Sequence, residues 1–101
     1  MGVPMDRSQI LDVVIRHFRA NVDLSVGFVV DPSRSMLEQG AQSLDLLEIV
    51  SASMRELQIR VPRTQMRELK NINELVDVFY AYRQREETEE ARRTAQQVEG
   101  V

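Results

Sequence analysis

The chain has 101 residues, of which 43% are hydrophobic and 29% are charged, a composition typical of one small soluble domain. It contains no cysteine, which excludes disulfides, thiolate catalysis and cysteine-based zinc sites, and its single His17 cannot form a metal cluster alone. The 13 basic and 16 acidic residues give a net charge of −3, which does not fit the basic face of a nucleic-acid-binding protein. No apolar run has the length of a signal peptide or a membrane span, so we expect a cytoplasmic, monomeric protein.

The first predicted element is a helix from Asp6 to about Val22. Apolar residues recur there at the spacing of one helix face: Leu11, Val14, Ile15, Phe18 and Val22. We interpret His17 as a residue at the edge of that face, with no catalytic or ligand role.

Residues 23–42 form a long connection whose apolar content (Val26, Phe28, Val29 and Val30) predicts that it covers part of the core. Asp31 and Pro32 are typical of a helix start, which predicts a short helix over residues 32–39, and Gly40 is typical of a helix stop.

The second main helix is predicted from about Ser43 to Leu57. We expect its buried stripe to consist of Leu44, Leu47, Val50, Met54 and Leu57, with Asp45, Glu48 and Arg55 exposed. On this assignment a charge at position 47, as in Leu47→Asp, would disrupt folding.

The last third of the chain begins with an extended link that ends at Pro62, followed by a short helix from Thr64 to about Leu69. Asn71 and Glu74 resemble a capping box that opens the last helix. Its predicted apolar face is Ile72, Leu75, Val76, Phe79 and Tyr82. The charged stretch after Tyr82 has no face to bury, so we expect it to fray and divide the chain into a domain of residues 1–84 and a flexible extension of residues 85–101.

Ser43 is the main candidate for a functional residue. It follows a glycine turn in the segment GAQSLDLLEIV, residues 40–50, and stands in the first turn of the predicted second helix. A helix N-terminus has unpaired backbone N–H groups and a partial positive charge, and both favour a phosphodiester on that hydroxyl. The residues therefore favour a carrier that is modified on one serine. No nucleophile–base pair or metal cluster indicates catalysis, so we assign no catalytic or metal-binding residue.

Over residues 6–83 the order of these parts resembles the acyl carrier protein family. The similarity is strongest from Gly40 to Ile72, where Gly40, Ala41, Ser43 and Leu44 fit the family's attachment motif. The spacing continues through the positions that match the family's later apolar and acidic residues: Asp45, Glu48, Leu57, Ile59, Val61, Pro62, Leu69 and Ile72.

The resemblance implies an all-α fold, an acyl-carrier-like four-helix bundle with three main helices, one short helix and a long first loop. It also implies a 4′-phosphopantetheine arm on Ser43, transferred from coenzyme A by a phosphopantetheinyl transferase. The thiol of the arm would carry an acyl group as a thioester for acyl-loading and acyl-transfer enzymes, so the cofactor would supply the thiol that a chain without cysteine lacks. Met54 and Met66 are candidates to line a path for the acyl chain.

The family's partners dock around the serine helix, which implies a docking surface of Gln42, Leu44, Asp45, Glu48 and Arg55. Here residues 43–62 carry three acidic and two basic residues, where fatty-acid carriers are rich in acids. Because surface charge selects partners, we expect a specialised carrier of lipid or secondary-metabolite synthesis. The four arginines at positions 55, 60, 63 and 67 are either a patch for an acidic partner or plain surface charge.

Two alternatives remain open from the sequence. A standalone peptidyl or aminoacyl carrier would share the fold and the serine. An unmodified helical interaction module would keep the fold without the arm, and Gln42, which replaces the family's usual aspartate, is the feature that leaves this second alternative open.

Overall fold

The computed structural model describes residues 6–66 and 68–99. Three α-helices lie in this part of the chain: α1 (Arg7–Asn21), α2 (Ser43–Leu57) and α3 (Ile72–Glu99). The described residues include no β-strand, only an isolated bridge between Ser35 and Asn71. The all-helical class is therefore confirmed. The expected short helix before α3 is not confirmed, because the described residues of that stretch include one 3-10 turn, Arg63–Gln65, and Arg67 lies outside them.

Helix α1 starts where the sequence predicted. Asp6 caps it, because its carboxylate accepts a hydrogen bond from the Gln9 backbone N–H at 2.9 Å, while the Gln9 side chain accepts one from the Asp6 N–H at 2.9 Å. The predicted face is confirmed at Val14, Phe18 and the following Val22, but Leu11 and Ile15 are only half-buried. Ile10 and Val13 complete the buried side, so the apolar stripe is centred slightly away from the predicted one.

One apolar core, mainly aliphatic with two phenylalanines, holds the molecule together. Helix α1 packs against both α2 and α3, and side chains from the connections fill the space between them. The buried apolar residues are Ile10, Val13, Val14, Phe18, Val22, Val30, Met36, Ala41, Ile49, Leu57, Ile59, Val61, Ile72, Leu75, Val76 and Phe79.

Helix α2 spans the predicted residues but turns a different side to the core. Leu44 and Leu47, expected in the buried stripe, are 77% and 65% exposed, so that expectation was wrong. Ile49, Ser53 and Leu57 are buried in their place, and Val50 and Met54 are half-buried. Leucine, isoleucine and valine occupy more than half of the circumference in the first two turns of α2, so periodicity alone allowed two stripes. The stripe that is buried includes Ser53, which is small and polar, so the apolar pattern did not indicate it.

The connection between α1 and α2 covers the core only in part. Val30 is buried and Phe28 packs against the core, whereas Val26 and Val29 are exposed. Residues 32–39 form successive turns, so the helix predicted there was wrong. The Asp31 carboxylate accepts hydrogen bonds from the Ser33 N–H at 3.0 Å and the Ser33 hydroxyl at 2.7 Å. This local turn competes with a helix.

Helix α3 begins as predicted, with the Asn71 side chain accepting a hydrogen bond from the Glu74 N–H at 2.8 Å. Its predicted face is confirmed, since Ile72, Leu75, Val76 and Phe79 are buried and Tyr82 packs against the core. The helix continues to Glu99, past the proposed boundary at residue 84. Arg83, near this boundary, donates a hydrogen bond from Nη1 to the Leu57 carbonyl at 3.0 Å and so caps the end of α2. The division into a domain and an extension stays a prediction, and residues 100–101 lie outside the described residues.

Candidate phosphopantetheine attachment site

Ser43 is the first residue of α2, and it is exposed. The chain reaches it through Gly40, whose φ of +109° lies in a region that favours glycine, and through Ala41, which is buried. Gln42 then adopts the extended backbone of an N-cap, with φ −99° and ψ 166°. The burial of Ala41 fixes the chain to the core two residues before the serine. The Ser43 side chain therefore stands at the surface on an anchored helix end.

Asp45 has a structural role at this helix end. Its carboxylate accepts a hydrogen bond from the Gln42 backbone N–H at 2.9 Å, so it holds the N-cap residue in place from the first turn. An acid in this position also interacts favourably with the positive end of the helix dipole. Asp45, one of the predicted docking residues, is half-buried and already engaged within the chain.

The other predicted docking residues lie on the exposed side of α2. Leu44 and Leu47 are one turn apart and project outward together with Glu48. Arg55 Nη2 lies 3.5 Å from Glu48 Oε1, so the two charges neutralise each other across two turns of the helix. The face beside Ser43 is therefore apolar with a balanced ion pair. Arg67 lies outside the described residues, and the four-arginine patch stays a prediction.

A cleft of about 470 Å³ opens beside α2, and it begins one turn after Ser43. Its lining is mainly aliphatic and includes both methionines that the sequence indicated for an acyl path: Leu46, Leu47, Val50, Ser51, Met54, Val61 and Met66. A second cleft, of about 690 Å³, shares Ser51, Met54 and Val61 with the first and continues to Arg55, Gln58 and Arg60 at the end of α2. Together the two clefts form an apolar trough along the helix that carries the serine.

Sequence reasoning missed two polar clusters. The side chain of Gln39 is buried in the connection before α2, where its amide bonds to the backbone at Asp31 and Arg34. On the side of α2 away from the exposed leucines, Glu56 joins α2 to α1 through Arg16 and His17. No periodicity indicates either cluster, because each depends on a contact between residues that are distant in sequence or on the conformation of a turn.

Two kinds of feature, a metal site and a membrane-spanning helix, are not found among residues 6–66 and 68–99. Three or more His, Asp or Glu side chains do not come together there as a metal site would require. None of the helices in that part of the chain combines the length and the apolar character needed to cross a membrane.

Known proteins are similar to this chain in sequence and in fold. The profile of the family described as a phosphopantetheine attachment site matches residues 12–79. The polyketide biosynthesis acyl carrier protein AcpK of Bacillus subtilis (strain 168) is 32% identical over 76 residues, which cover 75% of this chain and 93% of that protein. A chain from the crystal structure of the curacin biosynthetic pathway HMG synthase in complex with an acetyl donor ACP superposes with a TM-score of 0.68 at 28% identity. That match covers 76% of this chain and 99% of the other.

The family match spans most of the described helices and includes the exposed serine at the start of α2. The cofactor of this family is 4′-phosphopantetheine. Its ester requires an accessible hydroxyl, and Ser43 offers one at the start of α2, with the apolar trough beside it. The chain belongs to the acyl carrier protein family, as a specialised member.

Proposed function

We propose that this protein carries acyl groups as thioesters on a 4′-phosphopantetheine arm attached to Ser43. The observation that supports the site best is the placement of Ser43 as an exposed first residue of α2 behind an anchored turn. The Ser43 oxygen attacks the phosphorus that bears the pantetheine in coenzyme A, so that a phosphodiester forms while the pyrophosphate bond of coenzyme A breaks. The nucleotide half of coenzyme A leaves as a phosphate monoester and takes up the proton that the hydroxyl loses. The N-terminal end of α2 favours the negative charge that this bond places there.

The cargo that we propose is an acyl group of polyketide-type synthesis. The curated relative is named for polyketide biosynthesis, and the structural neighbour comes from the curacin biosynthetic pathway. Of the lipid and secondary-metabolite syntheses expected from the sequence, these relatives favour polyketide synthesis over fatty acid synthesis. The trough beside α2 supports an acyl cargo, because each buried CH₂ contributes about 0.8 kcal/mol at most. The methionines in its lining adapt to chains of different shape.

Partner enzymes dock, in this proposal, on the start and exposed side of α2. Gln42 and Leu44 flank the serine, and Leu47 extends the apolar surface by one turn. Asp45 holds the helix end, while Glu48 and Arg55 form a mutually neutralised pair at the edge. Apolar contact therefore provides more of the docking free energy than charge does. The partners are a phosphopantetheinyl transferase and acyl-loading and acyl-transfer enzymes, which act on a cytoplasmic, monomeric carrier that is not itself an enzyme.

Intact-mass measurement after incubation with coenzyme A and a phosphopantetheinyl transferase tests the attachment. The wild-type protein should gain one phosphopantetheine, and Ser43→Ala should gain none. Ser51→Ala is the matched control, because Ser51 is an exposed serine two turns further along the same helix and should leave the gain intact. A gain that persists in Ser43→Ala would place the arm on another residue.

The same experiment separates the alternatives. If the folded protein stays unmodified with several transferases, it fits the second alternative, an unmodified helical interaction module. That alternative is open because Gln42 replaces the family's usual aspartate. Once the arm is attached, loading with acyl and aminoacyl donors distinguishes an acyl carrier from a peptidyl or aminoacyl carrier. We expect loading by acyl donors only.

A further inference from the structure

We propose that Gln39 is a positioning residue for the modification of Ser43: its buried amide holds the segment that presents the serine to the transferase. This inference rests on the proposed function, because it concerns how efficiently Ser43 is modified. Gln39 lies outside the predicted docking surface, four residues before the serine, and only 6% of its surface is exposed.

The Gln39 amide closes the turn structure of residues 31–39. Its Oε1 accepts a hydrogen bond from the Asp31 backbone N–H at 2.8 Å. Its Nε2 donates to the Asp31 carbonyl at 2.8 Å and to the Arg34 carbonyl at 3.1 Å, and it lies 3.4 Å from the Ser35 carbonyl. One side chain at the end of the segment thus satisfies backbone groups at the start and in the middle of it.

This position requires a group that both accepts and donates. A part-buried backbone N–H and part-buried carbonyls are costly to leave without partners, and a primary amide is a neutral side chain that accepts a hydrogen bond on its oxygen while it donates two from its nitrogen. A carboxylate would retain the acceptor but face several carbonyl oxygens. An apolar side chain of the same length would satisfy none of these groups.

The held segment leads directly into the attachment site. The Ala41 N–H donates to the Met36 carbonyl at 3.1 Å, and Ala41 is buried. Gly40 and Gln42 are thus the two exposed residues between the Gln39 amide and Ser43. Any loosening at Gln39 is transmitted to the serine through a short stretch of backbone.

The same segment is also fixed to the start of α3. The Met36 N–H donates to the Lys70 carbonyl at 2.9 Å, and the Asn73 N–H donates to the Pro32 carbonyl at 3.0 Å. The approach to Ser43 is therefore ordered before any enzyme binds. A transferase that meets an ordered segment does not have to bear the entropy of ordering it.

Gln39→Met in the full chain tests this inference, because methionine keeps the length and removes the hydrogen bonds. We expect the KM of the transferase for the unmodified protein to rise about fivefold, as the segment must then be ordered on binding, while kcat stays within about twofold. Gln39→Glu should raise KM at least as much, although it fills the same space, because its carboxylate faces the carbonyl oxygens of Asp31 and Arg34. Both variants are measured at a temperature at which they are fully folded.

Arg16→Ala is the control for lost stability, since it breaks a contact between α1 and α2 and should leave KM unchanged. An equal KM for wild type and both Gln39 variants, with the wild type modified normally, would overturn this inference and leave the proposed function intact. A wild type that is not modified at all would instead refute the proposed function.

Hydrogen exchange provides a second measurement that does not depend on a variant. In the wild type, the Gln39 side-chain amide protons and the Asp31 N–H should exchange much more slowly than the side-chain protons of the exposed Gln42. If a Gln39 variant fails to fold, this measurement still tests whether the hydrogen bonds that the inference requires are formed in solution. Exchange of the Gln39 protons as fast as that of the Gln42 protons would refute the positioning role.

Discussion

The carboxylate of Glu56 on α2 and the guanidinium of Arg16 on α1 meet through two parallel hydrogen bonds, of 2.7 and 2.8 Å. His17 Nε2 donates a third bond to the same carboxylate at 2.8 Å. These contacts lower the pKa of Glu56 from 4.5 to about 2, first through the hydrogen bond from Arg16 and then through that from His17. The pair joins the serine helix to α1 on the side away from the exposed leucines.

We expect this pair to make stability depend on pH in the acidic range. Because the folded state lowers the pKa of Glu56, its contribution is fully present above the unfolded pKa of 4.5 and is lost as the pH falls towards about 2. Urea unfolding of the wild type and of Glu56→Gln, from pH 6 to pH 2, measures this contribution of Glu56 to the free energy of unfolding. The difference between the two curves should shrink as the pH falls through that window, and a constant difference would contradict the assignment. Both partners are partly exposed, so added salt should weaken the effect.

The exposure of Leu47 reverses an expectation from the sequence. Leu47→Asp should change the free energy of unfolding by about 0.5 kcal/mol or less, because the side chain is 65% exposed. Ile49→Ala, two residues away and fully buried, should cost about 2–5 kcal/mol through lost burial and the cavity left behind. Chemical denaturation of both variants checks the rotation of α2. Unfolding of the Leu47→Asp variant would restore the original prediction.

How much of the fold the sequence predicted depended on the kind of signal. Capping and periodicity gave the start of α1, the span of α2 and the buried face of α3, because Asp6 and Asn71 cap locally and the apolar residues of α3 occupy one side. The rotation of α2 was not predictable from periodicity, since apolar residues surround most of its first turns. Nor was the fold of residues 32–39, where Asp31 and Gln39 satisfy backbone groups that a helix would have paired internally.

The same distinction holds for the candidate site. Ser43 could be proposed from the sequence because a glycine, a serine and the acids after it stand within a few residues of one another. The neutralisation of Glu48 by Arg55 could have been suspected from their spacing, because residues seven apart return to one side of a helix. The amide of Gln39 could not, since a glutamine between a glutamate and a glycine is indistinguishable in sequence from a surface residue.

Ser53 is a weak point in the core. Its side chain is fully buried, and its hydroxyl has no hydrogen-bond partner among the described residues. A buried hydroxyl without a partner costs about 1–3 kcal/mol, and alanine is the better helix former. We therefore expect Ser53→Ala to raise the free energy of unfolding by about 1 kcal/mol, measured by urea denaturation.

The control for Ser53→Ala is Ser51→Ala on the same helix. Ser51 is exposed, so this change reports only the difference in helix propensity, which is at most about 0.5 kcal/mol. The gain from Ser53→Ala should exceed that from Ser51→Ala. Equal gains would mean that the Ser53 hydroxyl is satisfied in solution.

We expect Gly40 to link backbone conformation to the proposed modification of Ser43. Its φ of +109° strains any residue with a side chain, although an added Cβ would have room, with Val22 Cγ1 at 3.7 Å. Gly40→Ala should therefore lower stability by about 1–2 kcal/mol through backbone strain alone. Because the strain is relieved by moving the chain three residues before the serine, the KM for the phosphopantetheinyl transferase should also rise.

Gly27→Ala is the matched control for Gly40→Ala. Gly27 also has positive φ, +81°, and open space around it, but it lies in the connection far from Ser43 in sequence. It should lose comparable stability and keep its KM, whereas an equal rise in KM for both variants would show that the transferase responds to general destabilisation.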